Sequence, residues 1–165
     1  MRLKDMLTPS LVVKRVLDAP VSDLSKRGFR VALLDLDNTL ANDHVRKPSD
    51  YSRKAIDYLQ NAGFDCCIVS NAKSNRSAEF AAELGVQCVS FARKPSPIGI
   101  YRALDLMTSK PEEAVFFGDQ VFTDIVAANR AGVYSILVEP MHSKEVFYVR
   151  IKRPFEKLIR KLHRY

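Results

Sequence analysis

The 165-residue chain has no tryptophan, three cysteines and six glycines. Each scarcity excludes something. Cys66, Cys67 and Cys88 are odd in number and lack C-x-x-C spacing, so neither a disulfide framework nor a zinc site is expected. They read as reduced packing residues. No apolar run approaches the ~18 residues of a membrane span. The N-terminus has neither the continuous apolar core nor the small-residue cleavage site of a secretory leader, so a cytoplasmic protein is expected. Apolar residues make up 47%, too many for a disordered chain, and there is no internal repeat or low-complexity segment. A single domain over 1–165 is expected, with its core over about 28–140.

Charge is unevenly placed. Residues 1–30 hold seven basic against three acidic side chains, 31–140 eleven against fourteen, and 141–165 eight against two. The formal charge of +7 therefore belongs to the two ends, and the body is mildly acidic. A basic flank is a solvated face by default, and otherwise a patch for membrane or nucleic acid.

The body alternates short apolar runs with amphipathic segments. Strands are expected at Val31–Leu36, Phe64–Val69, Val86–Val89, Ala114–Phe117 and Val133–Val138. Helices are expected over about Asp50–Asn61, Asn75–Leu84, Pro97–Leu106 and Val121–Ala131. Ser49 and Ser74 are placed to cap the first two, with Gly63, Gly85 and Gly132 just past helix ends. Upstream, Ser10–Leu17 reads as a short amphipathic helix stopped by Pro20. The alternation predicts βαβ crossovers, and so an α/β three-layer sandwich around a parallel five-stranded, Rossmann-like sheet.

In such a sheet ligands bind at the carboxyl ends of the strands. Asp35 and Asp37 follow the first strand, Ser70 and Asn71 the second, Lys94 the third, and Asp119 with Asp124 the fourth. Singly, each has a dull explanation as a turn former, a solvated lysine or a first-turn acid. Jointly they place carboxylates, a hydroxyl and a lysine on one edge. Carboxylates crowded there repel unless a cation offsets them, and Mg²⁺ with oxygen ligands would do so. The set suits phosphoryl transfer: a carboxylate nucleophile, a second carboxylate for the proton, and donors for the phosphoryl oxygens.

At these residues the sequence resembles the haloacid dehalogenase-like phosphohydrolases. Asp35-Leu36-Asp37-Asn38-Thr39 matches the first motif, Ser70 the second, Lys94 the third, and Gly118-Asp119-Gln120-Val121-Phe122-Thr123-Asp124 the fourth. The resemblance implies that Asp35 is the nucleophile and Asp37 the general acid/base. It implies Mg²⁺ on Asp35, Asp119 and the Asp37 backbone carbonyl, with Asp124 supporting the metal or Lys94. Asn38, Thr39, Ser70, Asn71 and Lys94 would bind the phosphoryl group. The short runs after Leu40 and after Asn71 leave no room for a cap domain. The whole chain is similar to the capless YqeG-type phosphatases of subfamily IIIA, themselves similar to phosphatidylglycerophosphate phosphatases. That implies a phosphorylated lipid head group as substrate.

The C-terminal end bears on the partner. Behind Pro154, the residues Phe155, Leu158, Ile159 and Leu162 form an apolar stripe among Lys152, Arg153, Lys157, Arg160, Lys161 and Arg164. Either the stripe packs on the body, or residues 144–164 touch an anionic membrane at the inner face. A phosphatase of another substrate (nucleotide, sugar phosphate or phosphoprotein) remains an alternative. An RNA- or ribosome-associated basic protein is a weaker one, since no aromatic-interleaved basic strand or known RNA module appears. No DNA is expected as a partner.

Overall fold

The computed structural model describes residues 2–73 and 75–141. Ser74 and the apolar stripe behind Pro154 lie outside them. Six strands form one parallel sheet: β1 Leu11–Val13, β2 Val31–Leu34, β3 Asp65–Val69, β4 Gln87–Val89, β5 Ala114–Gly118 and β6 Tyr134–Val138. Their order is β1-β6-β5-β2-β3-β4. From β2 the strands are added one way through β3 and β4, and then the other way from β5, so the order of addition reverses between β2 and β5, the kind of switch point at which a crevice opens.

All four residues of β2 are buried, as a strand covered on both faces requires. Ala32 and Leu34 pack on one side with Ala55, Ile56 and Leu59 of α3 (Asp50–Asn61) and Phe80 of α4 (Arg76–Leu84). Val31 and Leu33 pack on the other with Ile100 and Leu104 of α5 (Ile98–Leu106) and Ala127 and Ala128 of α6 (Val126–Ala131). The two-residue alternation of the strand thus divides the core into two layers of helix–sheet contact. Two shorter helices, α1 (Leu3–Leu7) and α2 (Val21–Lys26), precede the sheet's centre in sequence. Cys66 and Cys67 are buried free thiols and Cys88 is a half-buried one.

The sheet has six strands rather than five. The additional one is β1, in the segment that the apolar spacing assigned to a helix. Leu11, Val12 and Val13 pair in parallel with Ile136, Leu137 and Val138 of β6, and the Ser10 amide donates to the Ser135 carbonyl at 2.9 Å. Leu11 and Val13 turn inward while Val12 is exposed, the period of a strand. The two β-branched residues suit an open sheet edge, and β6 satisfies their backbone. Only a single 3₁₀ turn, Val16–Asp18, follows.

Ser49 caps α3, its hydroxyl accepting from the Ser52 amide at 3.2 Å, while the Ser52 hydroxyl donates to the Leu40 carbonyl at 2.8 Å. The chain therefore passes from the end of β2 into α3 through residues 35–49 alone, and from β3 into α4 through 70–75, with no inserted domain at either place.

Candidate active site

The loop that leaves β2 builds the centre of the site. The Asp35 amide still donates to the Phe117 carbonyl of β5 at 2.8 Å, which holds its side chain over the switch point. The chain then turns back on itself. The Leu40 and Ala41 amides donate to the Leu36 carbonyl, and the Asn38 amide donates to the Ala41 carbonyl at 2.7 Å. Asn38 takes φ 61°, a left-handed conformation that asparagine tolerates better than most residues. Its side-chain amide donates to Asp43 at 3.0 Å.

Lys94 arrives from the loop after β4. Its ammonium is buried and donates to Asp35 Oδ1 and, at 2.8 Å, to Asp124 Oδ1. The Phe116 ring lies 5.4 Å below it. Burial alone would lower the lysine's pKa, but Asp124 and Asp35 outweigh it and hold the group above its ordinary value. Asn71 clamps this lysine by its backbone: Asn71 Nδ2 donates to the Lys94 carbonyl at 3.0 Å, and the Lys94 amide donates to Asn71 Oδ1 at 2.8 Å. The Asn71 side chain is thus placed on the lysine's main chain. Ser70 is buried, and its hydroxyl accepts from the Ala72 amide at 3.1 Å.

The two acids after β5 are brought together by a tight winding. Val121–Ile125 forms a π-helical turn, with the Ile125 amide donating to the Gln120 carbonyl at 3.2 Å. Asp124 folds back over Gly118, where an added Cβ would stand 2.4 Å from Asp124 Cβ. Only glycine admits that approach. Asp124 Oδ2 accepts from the Gln120 amide at 3.1 Å, leaving Oδ1 for Lys94.

Asp35, Asp119 and Asp124 each bring a carboxylate oxygen within 4.8 Å of the other two. One ammonium does not neutralise three carboxylates. Burial pushes Asp35 up to about 7 despite the pull of Lys94, and burial with the charges of Asp35 and Asp124 pushes Asp119 up to about 8. Asp119 Oδ1 is buried and has no hydrogen-bond partner among the described residues. An all-oxygen donor set with surplus negative charge and an orphaned carboxylate oxygen fits a hard divalent cation. Thr39 Oγ1 and Asn38 Oδ1 are likewise buried and have no hydrogen-bond partner among the described residues.

Asp37 stands apart from this group. Arg76 Nη2 donates to both of its carboxylate oxygens at 2.6 Å, and Arg76 Nη1 donates to the Val45 carbonyl at 3.0 Å. Arg76 could not be singled out from the sequence, since an arginine in the first turn of a helix has no local pattern that distinguishes it from a solvated one. Its partner lies 39 positions upstream.

Residues 9–132 match a family model described as a haloacid dehalogenase-like hydrolase. The chain belongs to the haloacid dehalogenase-like hydrolases. It is 32% identical over 157 residues to the "Probable phosphatase YqeG" of Bacillus subtilis (strain 168), covering 95% of this chain and 91% of that protein. Within the family it is accordingly a phosphatase, a hydrolase of phosphoric monoesters. It is also 28% identical over 166 residues to "Phosphatidylglycerophosphate phosphatase 1, chloroplastic/mitochondrial" of Arabidopsis thaliana, covering 93% of this chain but 47% of that protein. Among solved structures, 3-deoxy-D-manno-octulosonate 8-phosphate phosphatase from Yersinia pestis superposes with a TM-score of 0.53 at 16% identity, over 71% of this chain and 66% of that one. That likeness is one of fold.

Proposed function

We propose that Asp35 is the nucleophile and Asp37 the general acid/base of a metal-dependent phosphomonoesterase that works through an aspartyl-phosphate. The observation that carries the reading is the meeting of Asp35, Lys94, Asp119 and Asp124 at the carboxyl edge of β2 and β5, with Asp37 two residues beyond the nucleophile. A free Asp35 oxygen attacks phosphorus, and the bond to the leaving oxygen breaks as that oxygen takes a proton from Asp37. Water then attacks the aspartyl-phosphate, giving its proton to Asp37, and inorganic phosphate leaves with Asp35 restored.

Lys94 orients the nucleophile and supplies positive charge to the phosphoryl oxygens. The buried hydroxyls of Thr39 and Ser70, with Asn38, line the same loop ends and would donate to those oxygens. Asn71 acts through Lys94, whose backbone it holds. Asp35, Asp119 and Asp124 would hold Mg²⁺, together with the Asp37 carbonyl. When bound, the ion supplies the charge that lets an anionic ester approach three carboxylates.

A phosphorylated lipid head group is the substrate we favour. The name of the Arabidopsis relative and the basic excess at 141–165 support it. No described helix is long and apolar enough to cross a membrane, so such a lipid would be met from the bilayer surface. The test is phosphate release from a panel of lipid, nucleotide, sugar and phosphopeptide monoesters, with Mg²⁺ and with chelator. Turnover of the lipid ester well above the others, and only with the cation, is expected. Turnover undiminished by chelator would refute the metal assignment, and preference for another ester would refute the lipid.

A further inference from the structure

Arg76 opens α4 with a side chain only 11% exposed, against 31% for the Asp37 carboxylate on which it sits. Its Nη1 bond to the Val45 carbonyl ties it to the loop after β2, and its Nη2 bonds engage both Asp37 oxygens. While both oxygens accept from Nη2, a leaving oxygen or a water that bonds either one shares it with the guanidinium, and the carboxylate is not free to turn towards it. On the reading of Asp37 as acid/base, the guanidinium lies on the leaving-group side of the site, because Asp37 meets the leaving oxygen there.

We propose that Arg76 forms a subsite for a second anionic group, a phosphodiester or a carboxylate, carried by the alcohol portion of the substrate. That group takes Nη2 from Asp37 and leaves the carboxylate free for proton transfer. The inference rests on the reading of Asp37 as acid/base given above. A guanidinium is a planar fork of donors that matches carboxylate and phosphate oxygens alike, so one oxyanion can replace another on it. The exchange keeps an anion on the part-buried cation throughout, whereas breaking the pair with nothing in return gives up a charge-assisted contact. The bond to Val45 remains as the pivot. A monoester lacking a second anion must open the Arg76–Asp37 pair unaided, and turns over more slowly.

The test compares three soluble monoesters: glycerol 3-phosphate, which has no second anion, 3-phosphoglycerate, which has a carboxylate, and glycerophosphoglycerol 3′-phosphate, which has a phosphodiester. For the wild type, kcat/KM should favour at least one of the latter two by about tenfold or more, the range of a charge-assisted hydrogen bond. The larger ratio identifies the anion. Arg76→Gln should bring the ratio towards one, whatever it does to the common rate, and Arg76→Lys should keep part of it. A residue that merely holds Asp37 or the fold would slow all three esters by the same factor and leave the ratio untouched. That outcome, or a wild-type ratio near one, overturns the subsite. If Arg76→Gln does not fold, Arg76→Lys carries the same comparison. Product binding to the wild type gives an independent measure: by calorimetry, glycerophosphoglycerol should bind more tightly than glycerol, and equal binding overturns the proposal. Should none of the three esters turn over, the calorimetric comparison alone would decide the subsite.

Discussion

Stripped of divalent cations, the protein should lose stability as the pH rises from 6 to 8, and Asp119→Asn should remove most of that loss. Burial, with Asp35 and Asp124 alongside, raises Asp119 from 3.8 to about 8, and burial raises Asp35 from 3.8 to about 7. An acid whose folded pKa exceeds its unfolded one holds its proton more tightly in the native state. The stability it contributes is complete below the unfolded pKa and is lost as the pH climbs through the folded value. Between pH 6 and 8, linkage gives a loss of about 1 kcal/mol through Asp35 and about 2 kcal/mol through Asp119. Their sum is ~3 kcal/mol. For a chain of this length that is a fall in Tm of roughly 6–12 °C. Scanning calorimetry at pH 6, 7 and 8, in chelator and in Mg²⁺, measures it. Mg²⁺ should flatten the slope in the wild type, because the ion replaces the protons. Asp119→Asn should melt above the wild type at pH 8 in chelator, and should gain little from Mg²⁺. Parallel pH slopes for the wild type and the variant in chelator would refute the reasoning.

Asp35→Asn should abolish phosphate release while leaving the circular dichroism spectrum unchanged, because an amide cannot accept the phosphoryl group. Asp37→Ala should lower kcat by ~10²–10⁴-fold, the usual worth of a positioned acid/base, as read in single-turnover assays. Lys94→Met would strip the cation from a buried pair and should cost ~3–5 kcal/mol in urea unfolding, with part of the loss recovered in saturating Mg²⁺. Gly118→Ala would drive a methyl to within 2.4 Å of Asp124 Cβ. It should destabilise the fold by ~1–3 kcal/mol and depress Mg²⁺ affinity in a titration followed by calorimetry.

The central strands could be read from the sequence because burial on both faces makes them continuous apolar runs. Val31–Leu34 and Ala114–Gly118 stand out among their polar neighbours for that reason. β1 could not be read this way. Its Leu11-Val12-Val13 is three residues long, and Val16 and Leu17 follow at a spacing that a helix also satisfies. What decides the matter is the free edge of β6, a partner more than 120 positions away. The site divides along similar lines. Asp35, Lys94, Asp119 and Asp124 could be grouped in advance because strand order alone carries their loops to one edge. Their internal arrangement could not. The amide of Asn71 looks like a donor to ligand until its two bonds to the Lys94 backbone are seen. Arg76 belongs to the site only through a guanidinium reaching back across a loop, and linear spacing holds no record of such a reach.

The π-helical turn at Val121–Ile125 makes this stretch intolerant of a change in length rather than of a change in chemistry. Phe122 is 70% exposed at its crest, so little of its side chain is buried and substitution there should be mild. Excising the same residue would let the turn relax to ordinary α winding, a gain for the local backbone. Yet it would shorten the interval between Asp119 and Asp124 by one and so disturb the bonds by which the Gln120 backbone now places Asp124. Lys94 would keep one carboxylate partner where it now has two. Among natural or engineered variants, single-residue indels in this window should therefore separate folded from active chains more sharply than any point substitution at Phe122.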